Sequence, residues 1–317
     1  MKKLIIATRG SALAMWQSEF IQSEIKKTHG MEVELLSMKT KGDVILDSPL
    51  AKIGGKGLFT KELEESMIRG ESHIAVHSLK DVPIVFPDGL LLGAISKRED
   101  VRDAFVSENF KNLQELPKGS RVGTTSLRRR MQLLMIRPDL NIISLRGNVN
   151  TRLKKLKEGR FDAIILAVAG IKRLNLNKEI KFVTPFELDE MIPAMGQGAL
   201  GIEAKNSNDI LDIISFINDE KSHIETTIER DFVTMLNGGC QVPIGINANL
   251  KGDDVKIRAV LGLPDGSKFL KETLIVNKDK YKTIGKELAT KFIEKGAKEL
   301  LKEAEIMAEK LQSENIY

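Results

Sequence analysis

Arg121-Val122-Gly123-Thr124-Thr125-Ser126-Leu127-Arg128-Arg129-Arg130 is the stretch that decides the fold. A short apolar strand ends in a hydroxyl-rich turn, and that turn opens a helix whose first residues are arginines. The order recurs twice downstream. Asn141 to Leu145 reads as a strand that passes through Arg146-Gly147-Asn148 into a helix starting near Asn150. Ala163 to Ala167 reads as a strand leading to a helix that carries Lys172 and Arg173. Repeated strand–turn–helix units predict an α/β domain with a largely parallel sheet. Ligands of open α/β sheets bind outside the carboxyl ends of the strands. Helix N-termini add backbone donors and a positive dipole there. Arginines at such ends read as anion recognition, against the plainer alternative of solvated surface charge.

Upstream, residues 1 to about 95 alternate in the same way. Leu4 to Thr8 is a buried strand, Ser11 to Lys27 a helix with Ser11 near its N-cap, and Val33 to Thr40 a second strand. After the glycine-rich Ile53–Gly57 comes a helix over Leu58 to Arg69, with Leu58, Leu63, Met67 and Ile68 as its apolar face. His73 to His77 is a strand running into Ser78-Leu79-Lys80-Asp81-Val82-Pro83. The last hundred residues differ in character. A helix through Ile224, Ile228, Phe232 and Met235 precedes three meander strands, Ile244 to Leu250, Val255 to Leu263 and Phe269 to Val276. One long amphipathic helix is expected from about Lys280 to Leu311.

Charge narrows the partner. The chain of 317 residues has a net charge of +5, but the charge is unevenly spread. Between Arg121 and Arg173, nine arginines and four lysines face only Asp139, Glu158 and Asp162, a local +10 that leaves the remainder at −5. A basic region inside an acidic protein implies a polyanionic partner: nucleic acid, phosphates or clustered carboxylates. With 5% aromatic residues, and arginines at turns and not along one helix face, nucleic acid is disfavoured. The composition, 42% hydrophobic and 29% charged, is that of a soluble globular protein. The apolar run before Thr8 and Arg9 is too short for a signal peptide, and nothing approaches the roughly 20 apolar residues of a membrane span. A cytoplasmic protein with no membrane partner is the expectation.

Candidate chemical groups are few. His29, His73, His77 and His223 show no metal-ligand spacing, and no metal site is expected. Lys80 and Asp81 set an ammonium beside a carboxylate at a strand end, where they could hold a cationic intermediate or move a proton; an ordinary surface ion pair is the alternative. Cys240 is the only cysteine, which excludes disulfide frameworks. Gly238 and Gly239 before it and Pro243 after it form a loop that presents the thiol, so a nucleophile or an attachment point is favoured over a buried hydrophobe.

These features occur together in one order. Ala7-Thr8-Arg9-Gly10-Ser11 with Trp16-Gln17, Lys41-Gly42-Asp43, Gly54-Gly55-Lys56-Gly57-Leu58-Phe59 and His77 to Pro83 come first. Gly123 to Arg129, Leu145 to Val149 with Thr151-Arg152, Ala169-Gly170 with Arg173, Gly196 to Ala199 and the Gly239-Cys240 loop follow. Across nearly its full length the chain resembles the porphobilinogen deaminase (hydroxymethylbilane synthase) family. Gly10 departs from that pattern, standing where many relatives carry glutamine.

The resemblance implies two α/β domains similar to type II periplasmic binding proteins, facing each other across a cleft, and a small C-terminal α+β domain. Residues 1–97 with 197–217 would form the first, 98–196 the second and 218–317 the third. It implies a dipyrromethane cofactor joined by a thioether to Cys240. Four porphobilinogen units add to it head to tail with release of ammonia, through a cationic azafulvene, before water frees hydroxymethylbilane. Asp81 would be the catalytic residue. Each pyrrole carries an acetate and a propionate, and guanidinium forks match carboxylates. Arg9, Ser11, Gln17, Lys80, Thr124, Thr125, Ser126, Arg128, Arg129, Arg146, Gly147, Arg152, Arg173 and Gln197 would bind cofactor or substrate. Asp43, Lys52, Lys56 and Phe59 would belong to an active-site lid, Phe59 stacking on a pyrrole. A monomer is implied. A solute-binding module on the same fold is the main rival, but it has no use for Cys240 or Asp81.

Overall fold

Leu4, Ile6 and Ala7 have no exposed surface, so Lys3–Arg9 (β1) is an inner strand covered on both faces, as its apolar run requires. The computed structural model describes residues 3–40, 42, 59–237 and 242–314. From β1 the chain enters Ala12–His29 (α1). Ser11 Oγ caps this helix by accepting from the Ala14 amide, and Gly30, at φ 63°, ends it. Glu32–Met38 (β2), Lys61–Arg69 (α2), Ile74–Ser78 (β3) and Leu90–Ile95 (β4) follow. The second sheet begins with Asp103–Ser107 (β5) and continues through Arg121–Gly123 (β6), Leu127–Ile136 (α3) and Asn141–Ile143 (β7). Val149–Lys157 (α4), Ala163–Ala167 (β8), Val168–Arg173 (α5) and Phe182–Pro185 (β9) complete it. Leu200–Lys205 (β10) and Asn208–Ile214 (α6) then precede Glu220–Met235 (α7). Last come Ile244–Lys251 (β11), Asp254–Gly262 (β12), Phe269–Asn277 (β13), Ile284–Glu294 (α8) and Ala297–Glu314 (α9).

The first two sheets share one plan. Strand order is β2-β1-β3-β10-β4 in the first and β7-β6-β8-β5-β9 in the second. In each, three parallel strands are followed by an antiparallel strand and a fifth that pairs antiparallel with it. The antiparallel strand of the first sheet, β10, arrives after the second sheet is complete; that of the second sheet, β5, is laid down before the rest. Both are mixed sheets of the expected α/β class, largely parallel as the repeats predicted, with four strands running one way and one reversed in each. The antiparallel strands were missed because β10 lies in a glycine-rich stretch and β5 follows a dense charge run.

By compactness the chain falls into two units, Met1–Glu99 with Gly198–His223 and Asp100–Gln197 with Ile224–Tyr317. The β11-β12-β13 sheet therefore groups with the second α/β sheet. One core of the first unit joins Leu4, Ile6, Ile21, Ile74 and Ile202. In the second unit, one core lies around Leu153, Ile164 and Leu166 and another around Phe105, Val122 and Ile165, so that alternate β8 residues serve opposite faces.

Three local expectations are corrected. The C-terminal helix is two helices, because Gly296 at φ 88° leaves the helical conformation between α8 and α9. Ile68 does not join the apolar face of α2: Leu63 and Met67 are buried, whereas Ile68 is exposed. Met235, at the last position of α7, is likewise exposed. Among the described residues no helix is long and apolar enough to cross a membrane.

Candidate active site

Three parallel strands side by side place their carboxyl ends along one edge, and most of the sequence-predicted residues lie along those edges. In the first unit these ends are Arg9, Met38 and Ser78. Arg9 and Ser11 follow β1, and Lys80 and Asp81 form a single 3-10 turn, Leu79–Asp81, directly after β3. The turn is anchored from beneath by Leu79, which is fully buried and donates its amide to the Ala199 carbonyl. Lys80 is half-buried and Asp81 exposed. Asp81 makes no hydrogen bond or ion pair among the described residues. The Arg9 guanidinium lies 4.2 Å from the centre of the Phe59 ring, a cation–π contact, so one face of that ring is already covered. Gln17 is not at the surface. It is buried, and its Nε2 donates to Ser78 Oγ at 2.8 Å, fastening α1 to the strand end that bears the catalytic candidate.

Behind that edge lies a buried polar pair that the sequence did not signal. His77 Nε2 is 3.1 Å from Glu203 Oε2, joining β3 to β10. Glu64 of α2 interacts with both; burial pushes its carboxyl up, and the neighbouring Glu203 adds to this.

In the second unit the edge gathers the turns after β6, β7 and β8. Thr124 Oγ1 accepts from the Ser126 amide at 3.2 Å, and Ser126 Oγ caps α3 through the Arg129 amide. Thr125 Oγ1 donates to the Leu145 carbonyl, tying this turn to the next. That next turn needs Gly147: its φ is 111°, and a Cβ there would lie 2.7 Å from Thr151 Cγ2. Asn148 caps α4, and Arg152 Nε donates to the Gly147 carbonyl at 2.8 Å. Arg146, Arg152 and Arg173 are half-buried, with Thr125 exposed beside them.

Arg128 and Arg129 behave differently from these three. Each is only 5% exposed, and both converge on Asp103, which has no exposed surface. Arg128 Nη1 donates to Asp103 Oδ2 at 2.7 Å and to the Ile192 carbonyl at 2.8 Å. Arg129 uses all three nitrogens, Nε and Nη2 to Asp103 Oδ1 and Nη1 to the Ile165 carbonyl. Gln197 is buried too and donates to Asp103 Oδ1 at 3.1 Å and to the Val101 carbonyl at 2.8 Å. Burial alone would push the Asp103 carboxyl up. The Arg128 and Arg129 charges and their hydrogen bonds override it and hold the group well below the usual carboxylate range. Asp103 was missed as a site residue because it is one of several acids between Glu99 and Asp103, and only the register of β5 beside β8 singles it out.

Cys240, Asp43, Lys52 and Lys56 lie outside the described residues. Among the described ones, no cluster of His, Cys, Asp or Glu could hold a metal ion.

Guanidinium groups at strand-to-helix turns, with a carboxylate on an exposed turn, suit an enzyme whose substrate carries several carboxylates. The comparisons with known proteins make this specific. Residues 4–212 match the model for the porphobilinogen deaminase dipyrromethane cofactor-binding domain, and residues 223–294 match that for the C-terminal domain of the same enzyme. The chain is 69% identical to the porphobilinogen deaminase of Campylobacter hominis over 97% of its own length and 100% of that protein's. It is 64% identical to that of Campylobacter jejuni over 96% of its length and 99% of the relative's. A TRAP periplasmic solute-binding protein from Desulfovibrio salexigens is a distant structural likeness, with a TM-score of 0.42 and 14% identity over 69% of this chain and 73% of that one. The chain belongs to the porphobilinogen deaminase family. Its activity is that of a hydroxymethylbilane synthase, a transferase of tetrapyrrole biosynthesis with a dipyrromethane cofactor.

Proposed function

We propose that Asp81 stabilises the positive charge that develops as ammonia leaves porphobilinogen, and that Cys240 is the point of cofactor attachment. One observation carries the assignment of Asp81. It stands exposed on an anchored turn and makes no hydrogen bond or ion pair among the described residues, so its charge faces outward where a ligand can meet it. A carboxylate preset where positive charge forms needs no reorganisation during the reaction.

The donor set fits the cofactor. Half-buried Arg146, Arg152 and Arg173 can pair with acetate and propionate groups while partly shielded from water, which strengthens charge-assisted hydrogen bonds. Gly147 keeps the middle turn free of a Cβ and thereby sets where Arg146 and Arg152 lie. Arg9, Ser11, Lys80, the turn Thr124–Ser126 and the Arg128 and Arg129 that follow it complete the reading as carboxylate and pyrrole contacts. When bound, dipyrromethane would supply the free pyrrole carbon to which the first unit is joined, later units extending the chain from its end. Gln17, buried against Ser78, acts by holding the Lys80–Asp81 turn in place. The working form in this reading is a cytoplasmic monomer.

Intact mass of the purified protein, beside a Cys240→Ala variant, tests the assignment. An added mass of two linked porphobilinogen-derived rings, lost in the variant, is expected. Unmodified protein in both, after expression with porphobilinogen available, would overturn the attachment site.

A further inference from the structure

Two arginines adjacent in sequence and nearly enclosed are an electrostatic liability. A buried ion costs several kcal/mol unless paired with good geometry. The pair is tolerated because Asp103 meets both guanidinium groups within 3.1 Å, with Gln197 as a further donor. Asp103 opens β5 opposite Ala167, the last residue of β8, which puts it at the sheet edge where the arginine-bearing turns are gathered. Charge and geometry pull in opposite directions here. The carboxylate cancels one of two positive charges beside a site for anions, which alone would weaken carboxylate binding. It also fixes the guanidinium planes and, through Arg129, the first turn of α3 that Ser126 caps.

From this geometry we infer that Asp103 is a positioning residue for the reaction. It sets the orientation of Arg128 and Arg129 toward the carboxylates of cofactor and substrate, and its placing of them outweighs the charge it removes. The inference rests on the functional reading above. Gln197 belongs to the same brace, its amide joining Asp103 to the Val101 carbonyl two residues before β5. Neither Asp103 nor Gln197 need touch a ligand.

The opposed signs make the test decisive. Asp103→Asn and Asp103→Glu are made in the full chain, and three quantities are measured: Tm, the fraction carrying the pyrrole mass, and KM and kcat for porphobilinogen. For Asp103→Asn we expect a KM higher by about tenfold to a hundredfold, the scale of an ångström-level misplacement, and a smaller loaded fraction. Tm falls by roughly 10 °C as two arginines lose their counter-charge. Asp103→Glu keeps the charge but moves it by one methylene, and an intermediate KM is expected. A lower KM in Asp103→Asn would show that the carboxylate only subtracts charge, and an unchanged KM with a lower Tm that it only stabilises the fold. Either result overturns the inference. Should Asp103→Asn not be recovered folded, Asp103→Glu decides: a raised KM supports positioning and a wild-type KM overturns it. Wild-type protein without any pyrrole mass would instead remove the functional reading, and this inference with it.

Discussion

Glu229 Oε1 accepts a hydrogen bond from the Ala248 amide at 2.9 Å, so a helix carboxylate caps the open edge of the β11-β12-β13 sheet. Its other oxygen takes the Gly196 amide at 2.7 Å, and Glu225 accepts from the Leu250 amide at 2.9 Å. Four residues on a helix rise about 6 Å and two on a strand about 6.8 Å, so the two carboxylates match successive outward amides. The next amide in the series, Ile246, donates to the Pro193 carbonyl. An edge that would otherwise invite pairing with another chain is thereby closed. Glu229→Ala leaves two buried amides unpaired and is expected to cost roughly 2–6 kcal/mol, at about 1–3 kcal/mol for each. A urea titration checks this, and a cost below 1 kcal/mol would mean that water replaces the carboxylate at no penalty.

Gly147 and Gly159 both have positive φ, but their surroundings differ. A Cβ at Gly147 meets Thr151 at 2.7 Å, whereas at Gly159 nothing lies within 4 Å. Gly159→Ala should cost only the left-handed backbone penalty, about 1–2 kcal/mol. Gly147→Ala adds a clash and a conformation, at φ 111°, that side chains rarely adopt, and should cost more, up to about 3 kcal/mol. It should also raise KM, since Arg152 donates to the Gly147 carbonyl and would move with it. Equal losses in the two variants, with KM unchanged, would sever the turn from the site.

Much of this arrangement was legible because the chemistry is local. Ser11 capping α1 and the turns before α3 and α4 follow from short-range rules about hydroxyls, amides and glycine. The charge imbalance pointed to a polyanionic partner, clustered carboxylates among the choices, before any contact was known. What stayed hidden depends on residues far apart in the chain. Asp103 meets Arg128 and Arg129 twenty-five and twenty-six positions away, and His77 meets Glu203 at a separation of 126. Sequence patterns report exposure and period, and nothing in them reveals that an arginine is also braced by a buried acid far away in the chain.

His73 gives a pH dependence with a definite sign. Its Nδ1 accepts the Ile5 amide at 2.9 Å, and burial, then Lys205, hold its pKa below the ordinary 6.5. The folded state therefore keeps the ring neutral, while the unfolded chain protonates it as pH falls through 6.5. Protons favour the state that binds them, so stability is lost below pH 6.5 and this residue contributes no pH dependence above it. The slope is at most about 1.4 kcal/mol per pH unit for one proton. His73→Gln, whose amide oxygen can accept the same N–H, should flatten the stability profile between pH 6.5 and 5 relative to the wild type. Superimposable profiles would assign the acid sensitivity to other groups.

Asp81 is where stability and activity should separate most cleanly. The residue is exposed and forms no ion pair or hydrogen bond among the described residues, and its turn is held by Leu79 and the Ala199 carbonyl. Asp81→Asn preserves shape and removes charge, so stability should change by no more than a surface substitution does, about 0.5 kcal/mol either way, with Tm nearly unmoved. Removing a preorganised charge from a developing cation should lower kcat by about a hundredfold to a thousandfold. Ammonia release measured on protein with the pyrrole mass already present separates a chemical defect from a failure to load. A kcat within threefold of wild type on loaded protein would show that the charge is supplied elsewhere. A large loss of Tm with the loss of rate would place Asp81 in the architecture of the turn and not in the reaction.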